Sequence, residues 1–131
     1  MLNDGLLEFA TFASNMEAPI TVVMPVFNRA GIVRRTLDSV ASQVMKPAKI
    51  VLVDNNSTDA TLEVLTRWAQ EHPDLNAVIV SETKMGASCA RNRGLQEVDT
   101  EFVMFFDSDD VMLPNHIRDF AEAINRTASR T

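Results

Sequence analysis

Four short apolar runs, each ending abruptly in a polar tip, constrain the fold of this chain more than any other feature. Residues 20–24 (Ile-Thr-Val-Val-Met), 50–53 (Ile-Val-Leu-Val), 77–80 (Ala-Val-Ile-Val) and 102–106 (Phe-Val-Met-Phe-Phe) are rich in β-branched and aromatic residues. They are continuous rather than alternating, as expected of strands buried on both faces of a parallel sheet. Helical periodicity fills the gaps. Val33, Leu37, Val40 and Val44 recur at helical spacing, with Asn28 placed to cap them and Pro47 closing the segment. Leu62, Leu65 and Trp68 mark one face of a second helix, capped by Ser57 or Thr58, with Asp59 near its positive end and Pro73 ending it. Residues 86–98 read as a third helix, and Pro114 opens a last one that runs to about Asn125. Strand and helix alternate four times with short connections, so the expected fold class is α/β: a doubly wound, mostly parallel sheet flanked by helices.

The 131 residues suit one domain with a hydrophobic core, read here as residues 18–131. Residues 1–17 carry the apolar cluster Leu6, Leu7, Phe9, Ala10, Phe12 and Ala13 and read as a short helix or arm. They lack a basic start, and no apolar run approaches the roughly 20 residues of a spanning helix. The single cysteine, Cys89, can form neither an internal disulfide nor a zinc site, and reads as a small core residue. His72 and His116 read as helix-end surface residues, and a reduced, cytoplasmic setting fits the whole. The net charge of −6 argues against a nucleic-acid groove, because a phosphate backbone would be repelled. It does not exclude a nucleoside diphosphate held through a divalent cation, since the metal supplies the positive charge.

Ligands of open parallel sheets bind outside the carboxyl ends of the strands, and that is where this chain gathers its polar residues. The first run leads into Pro25-Val26-Phe27-Asn28, the second into Asp54-Asn55-Asn56-Ser57 and the fourth into Asp107-Ser108-Asp109-Asp110. Three carboxylates within four residues repel one another unless a cation screens them. Asp107 and Asp109, two apart beyond a strand, can face a common centre, and such oxygen ligands suit Mg²⁺ or Mn²⁺. The plainer alternative is a solvated turn in which Asp109 or Asp110 caps the last helix. Asp54 could accept hydrogen bonds from a ribose or a base N–H, or form only an Asx turn. Lys84 and Arg91 are candidate diphosphate contacts, or solvated charges on a packing helix. Gly86, Ala87, Ala90 and Gly94 are small enough to let that helix approach the sheet closely.

Four blocks in order resemble family 2 glycosyltransferases, with their GT-A type (Rossmann-like) fold. Residues 22–28 are similar to the family's first strand and its Pro-x-Tyr/Phe-Asn end. Residues 53–59 resemble its Asp-Asp-Gly-Ser-x-Asp block, and residues 86–94 its Gly-x-x-x-Ala-Arg-Asn-x-Gly helix. Residues 106–110 resemble its DxD metal site, and Pro114 fits the proline found shortly after it. The resemblance covers about residues 20–125. It implies transfer of a sugar from a nucleotide-diphosphate donor, UDP- or dTDP-linked, to a glycan or lipid-linked acceptor, with inversion. It also implies that Pro25, Phe27, Asp54 and Asn55 hold base and ribose, with Ser108 beside them. Asp107 would face ribose or metal, and Asp109 would hold the Mn²⁺ or Mg²⁺ that bridges the phosphates.

Two departures from the pattern matter. The second acidic position of the Asp-Asp block is Asn55, whose carbonyl would accept the N3–H of uracil without a charge behind it. The sequence also stops just after the helix that follows the DxD motif, so the expectation is a domain truncated there, holding the donor half only. The catalytic base is not identified, as Asp110 lies on the donor side. The alternative is a non-catalytic binding or assembly module that keeps the fold. A nucleotidyltransferase fits less well, because the loop after the first strand carries one late glycine, Gly31. Apolar surface and a strand edge left bare by a missing half would favour homo-oligomers. Association with the inner face of a membrane would rest on parts beyond this sequence.

Overall fold

Each of the four apolar runs forms a strand of a single parallel sheet. The computed structural model describes residues 17–129, and the expected N-terminal arm lies outside these apart from Glu17, which opens the first strand. In chain order the elements are β1 (Glu17–Val26), α1 (Val33–Ala41), β2 (Lys46–Asp54), α2 (Thr61–Glu71), a 3₁₀ turn (Pro73–Leu75), β3 (Ala77–Ser81), α3 (Ala87–Leu95), β4 (Phe102–Phe105) and α4 (His116–Ser129). The sheet order is β3-β2-β1-β4, with all three pairings parallel. The chain therefore steps outward from β1 to β3 and then returns to the other side of β1. That reversal makes the crevice between β1 and β4 the topological switch point, where open α/β sheets place their ligands.

The continuous apolar strands serve two cores. Ile20, Val22, Met24, Ile50 and Leu52 face α1, α2 and α4, packing with Val33, Leu37, Val40, Leu65, Trp68 and Ile117. Val23, Val51 and Val53 face the other way, against Ala90 of α3. Burying each of these larger side chains contributes about 1.5–3 kcal/mol. Gly94 lets α3 lie close, since a Cβ there would meet Val23 Cγ1 at 2.4 Å. Among the described residues no helix is long and apolar enough to cross a membrane.

Element boundaries shift where pairing and long-range hydrogen bonds override local composition. β1 and β2 extend beyond the expected runs because they pair from Glu17↔Lys46 to Val26↔Asp54. Pro25 is tolerated within β1 because the β1–β4 pairing has already ended at Val23↔Phe105, so no β4 carbonyl calls for its missing N–H. Val44 is not on α1: the helix stops at Ala41, and Val44 is exposed, donating its N–H to the Pro114 carbonyl at 2.9 Å. Leu62 is likewise exposed, and the buried face of α2 is Thr61, Leu65 and Trp68. α3 and β4 end earlier than expected, and α4 starts at His116 and runs to Ser129. Cys89 is only partly buried.

The expected caps do not form, and their residues make other bonds. Asn28 does not cap α1, which begins five residues later without a side-chain cap. Asn28 sits at φ 48°, and its Oδ1 accepts the N–H groups of Thr58 (2.8 Å) and Asp59 (3.3 Å) across the loops. Neither Ser57 nor Thr58 caps α2. The N-cap position is Ala60, without a side-chain cap, and Asp59 just before it accepts the Thr61 N–H at 2.9 Å and the Thr61 hydroxyl.

Candidate functional site

The four strand tips converge on one cleft of about 440 Å³ at the carboxyl edge of the sheet. β1 and its following loop supply Pro25, Val26, Phe27 and Arg29, and the tip of β2 supplies Asn55. The β3–α3 loop and the start of α3 supply Met85, Gly86 and Ala87, with Arg91 one turn further on. The loop after β4 supplies Asp107, Ser108 and Asp109. Of the residues singled out in the sequence, Pro25, Phe27, Asn55, Arg91, Asp107, Ser108 and Asp109 are brought together here.

Asp54 and Lys84 are not. Side chains alternate along a strand, so when Asn55 faces the cleft, its neighbour Asp54 turns away from it. Asp54 is buried at the end of β2, with Oδ1 lacking a hydrogen-bond partner. Lys84 leaves the cleft and contributes only main-chain groups: its N–H donates to Glu82 Oε2 and its carbonyl accepts from Asn55 Nδ2. Asn55 is more constrained than a free base acceptor would be. Its Nδ2 donates to the carbonyls of Glu82 and Lys84, both at 2.9 Å, and its Oδ1 accepts the Gly86 N–H at 3.0 Å.

Asp107, Asp109 and Asp110 place carboxylate oxygens within 4.8 Å of one another, all on exposed side chains. This is a hard oxygen donor set, and it fits a small divalent cation that keeps several water ligands. Neither Asp109 nor Asp110 caps α4, which begins further along the chain at His116. Asp109 instead faces Arg29, whose guanidinium lies 3.7 Å away. The second cation of the cleft, Arg91, lies over the Phe105 ring, 5.9 Å from its centroid. The cleft therefore has acids on the β4 tip, with a guanidinium from the β1 side and another from α3.

The chain matches the model of glycosyl transferase family 2 over residues 21–129. It belongs to that family. Glycosyltransferase GlyA of Streptococcus pneumoniae is 37% identical over 91 residues, covering 70% of this chain and 13% of its own length. Among solved structures, Staphylococcus aureus TarS in complex with UDP superposes with a TM-score of 0.74 at 29% identity, covering 85% of this chain and 32% of the other. The mannosyltransferase PcManGT of Pyrobaculum calidifontis, in complex with GDP-Man and Mn²⁺, gives a TM-score of 0.72 at 29% identity, covering 92% and 39%. The chain thus spans well under half the length of each of these relatives. The family membership and the GT-A fold agree with the sequence reading.

Two features of this family 2 chain escaped that reading. Arg29 was visible only as part of a loop, and nothing in its neighbourhood signalled that it reaches the β4 tip. The polar stripe of α1 and the turn that follows it, Thr36, Ser39 and Gln43, was overlooked beside the apolar one. Thr36 donates to the Ser108 carbonyl (2.9 Å), and Ser39 Oγ accepts the Met112 N–H (2.8 Å). Gln43 Nε2 donates to the Leu113 carbonyl (2.6 Å), while its Oε1 accepts the Ile117 N–H (3.0 Å). These residues recur at helical spacing and hold the segment that carries the acidic tip.

Proposed function

We propose that this chain binds the nucleotide-diphosphate sugar donor of a metal-dependent, inverting glycosyl transfer. The observation that supports this most is the convergence of the Asp107, Asp109 and Asp110 oxygens, within 4.8 Å of one another, at a cleft built by all four strand tips. The UDP complex of TarS and the GDP-Man and Mn²⁺ complex of PcManGT support the same reading. Base and ribose would lie against Pro25, Phe27 and the Asn55 tip, with Ser108 nearby. Asp107 and Asp109 would hold Mn²⁺ or Mg²⁺, which supplies Lewis-acid stabilisation of the leaving diphosphate when bound. Arg29 and Arg91 add fixed positive charge where negative charge develops as the anomeric C–O bond breaks.

In such a transfer an acceptor hydroxyl attacks the anomeric carbon from the face opposite the diphosphate and loses its proton to a base. That base must lie within hydrogen-bond reach of the hydroxyl. The carboxylates lining the cleft among the described residues are Asp107 and Asp109, and both are assigned to the donor side. The reading for this chain is therefore donor binding, with a glycan or lipid-linked carrier as the acceptor class of the whole enzyme.

Calorimetric titration of UDP, dTDP and GDP into the 131-residue chain, with Mn²⁺ and with EDTA, tests the proposal. Binding that requires Mn²⁺ and is lost in Asp109→Ala is the expected result. Absence of nucleotide binding under every condition would overturn it.

A further inference from the structure

The tip of β2 holds an amide with three of its four hydrogen-bonding positions committed, both donors and one lone pair of Oδ1. Asn55 is 4% exposed, and its side chain makes three bonds to one loop. Nδ2 uses both hydrogens on the carbonyls of Glu82 and Lys84, and Oδ1 accepts the Gly86 N–H. The orientation of the amide is fixed by these partners, because a flipped amide would set its oxygen against two carbonyl oxygens. The main chain is tied as well: the Asn55 N–H donates to the Val26 carbonyl at 2.8 Å. One residue thus joins the end of β1, the end of β2 and the loop 82–86.

That loop forms a wall of the cleft through Met85 and Gly86, with Ala87 following at the start of α3. Gly86 has φ 124°, a conformation open to glycine and strained for other residues. A carboxylate in place of the amide could still accept from Gly86, but it has no hydrogen for Glu82 or Lys84. Two carbonyl oxygens would then face a negative charge, with two hydrogen bonds lost.

We propose that Asn55 is the positioning residue of the base-side wall: it latches the loop 82–86 and does not itself read the nucleotide base. Its donors are spent on the loop, the remaining lone pair of Oδ1 belongs to a side chain that is buried at the wall, and it offers the cleft no charge. Base discrimination at this position is therefore weak, and introducing an acid does not create a preference for uracil. This inference rests on the donor-binding reading above for its nucleotide arm only.

Two measurements test it. Hydrogen exchange is followed at residues 82–87 without nucleotide, in the wild type and in Asn55→Asp and Asn55→Ala. Both variants should lose protection in this loop while the central strands keep theirs. Unchanged loop protection in both would overturn the latch, whether or not any nucleotide binds. The second measurement is the affinity for UDP, dTDP and GDP with Mn²⁺, together with the Asn55 side-chain amide resonances of the wild type. Asn55→Asp should weaken all three nucleotides alike, by about tenfold for two lost hydrogen bonds, and the wild-type amide protons should stay protected and unmoved when UDP is added. Selective tightening of UDP and dTDP over GDP in Asn55→Asp, or a large shift of the Asn55 amide on UDP binding, would show that the side chain reads the base. If Asn55→Asp does not fold, Asn55→Ala carries both arms, since it removes the latch without introducing a charge.

Discussion

Adding one methyl group at Gly94 tests how tightly α3 is held to the sheet beneath the cleft. In an unpacked helix, alanine is favoured over glycine by about 0.8–1 kcal/mol. Here the added Cβ would lie 2.4 Å from Val23 Cγ1 and 3.1 Å from Val53 Cγ2, whereas ordinary contact begins at 3.4 Å. Something must therefore yield by about 1 Å. Val23 has little room to do so: it is fully buried and paired on both sides, with Val51 and with Phe105. Overpacking of this kind costs about 1–3 kcal/mol, which exceeds the helix-propensity gain at most points of that range. With an overlap of about 1 Å against a fully buried side chain the upper part of that range applies, about 2–3 kcal/mol, so the expected net loss is about 1–2 kcal/mol, lowering Tm by about 4–8 °C in a domain of this size. Gly31→Ala is the control, because a Cβ there meets nothing within 4 Å, and its effect should stay within about 0.5 kcal/mol. Thermal unfolding of the two variants beside the wild type decides the matter. Because α3 carries Ala87 and Arg91 into the cleft, Gly94→Ala should also weaken nucleotide binding. A Gly94→Ala protein as stable as the wild type would refute the close-packing account.

Three further outcomes follow from the same geometry. Gln43→Leu keeps the size of the side chain but leaves the Ile117 N–H without its partner and the Leu113 carbonyl with only the His116 N–H; it should lower stability by about 1–3 kcal/mol and weaken Mn²⁺ binding through the acidic tip, read by thermal unfolding and calorimetry. Arg29→Ala removes the competitor of Asp109; it should tighten Mn²⁺ alone by about two- to fivefold, as expected for an exposed ion pair, while weakening the metal–nucleotide complex. The Asp59 carboxyl is held below its ordinary value by the Thr61 hydroxyl first, then by the N–H groups of Thr61 and Ala30. A depressed folded value means that its stabilisation is complete above the unfolded pKa of about 3.9 and is lost as pH falls through the folded value. Asp59→Asn should accordingly flatten the fall of stability on acidification below about pH 4, as measured by urea unfolding across pH.

The sheet was legible because strands buried on both faces leave continuous apolar runs: 20–24, 50–53 and 77–80 lie within strands, and 102–106 does so up to Phe105. The acidic tip was legible too, because Asp107 and Asp109 follow the last run directly. What stayed hidden depends on contacts between distant residues. Asn28 looks like a local cap, yet its partners are Thr58 and Asp59. The choice between Asp54 and Asn55 turns on which face of β2 meets the cleft, which adjacent polar residues do not reveal. Arg29 and the Thr36, Ser39 and Gln43 stripe gain their roles only once the loop after β4 folds back over α1 and the end of β1.

The central claim, that the four strand tips form one metal-dependent nucleotide site, is tested most directly by paramagnetic broadening of amide resonances with UDP and substoichiometric Mn²⁺. The account predicts that residues 107–110 broaden first, followed by Arg29, Gly86 and Ala87, that α2 is spared, and that Asp109→Ala abolishes the pattern. Broadening centred elsewhere, or spread evenly over the acidic surface, would contradict it.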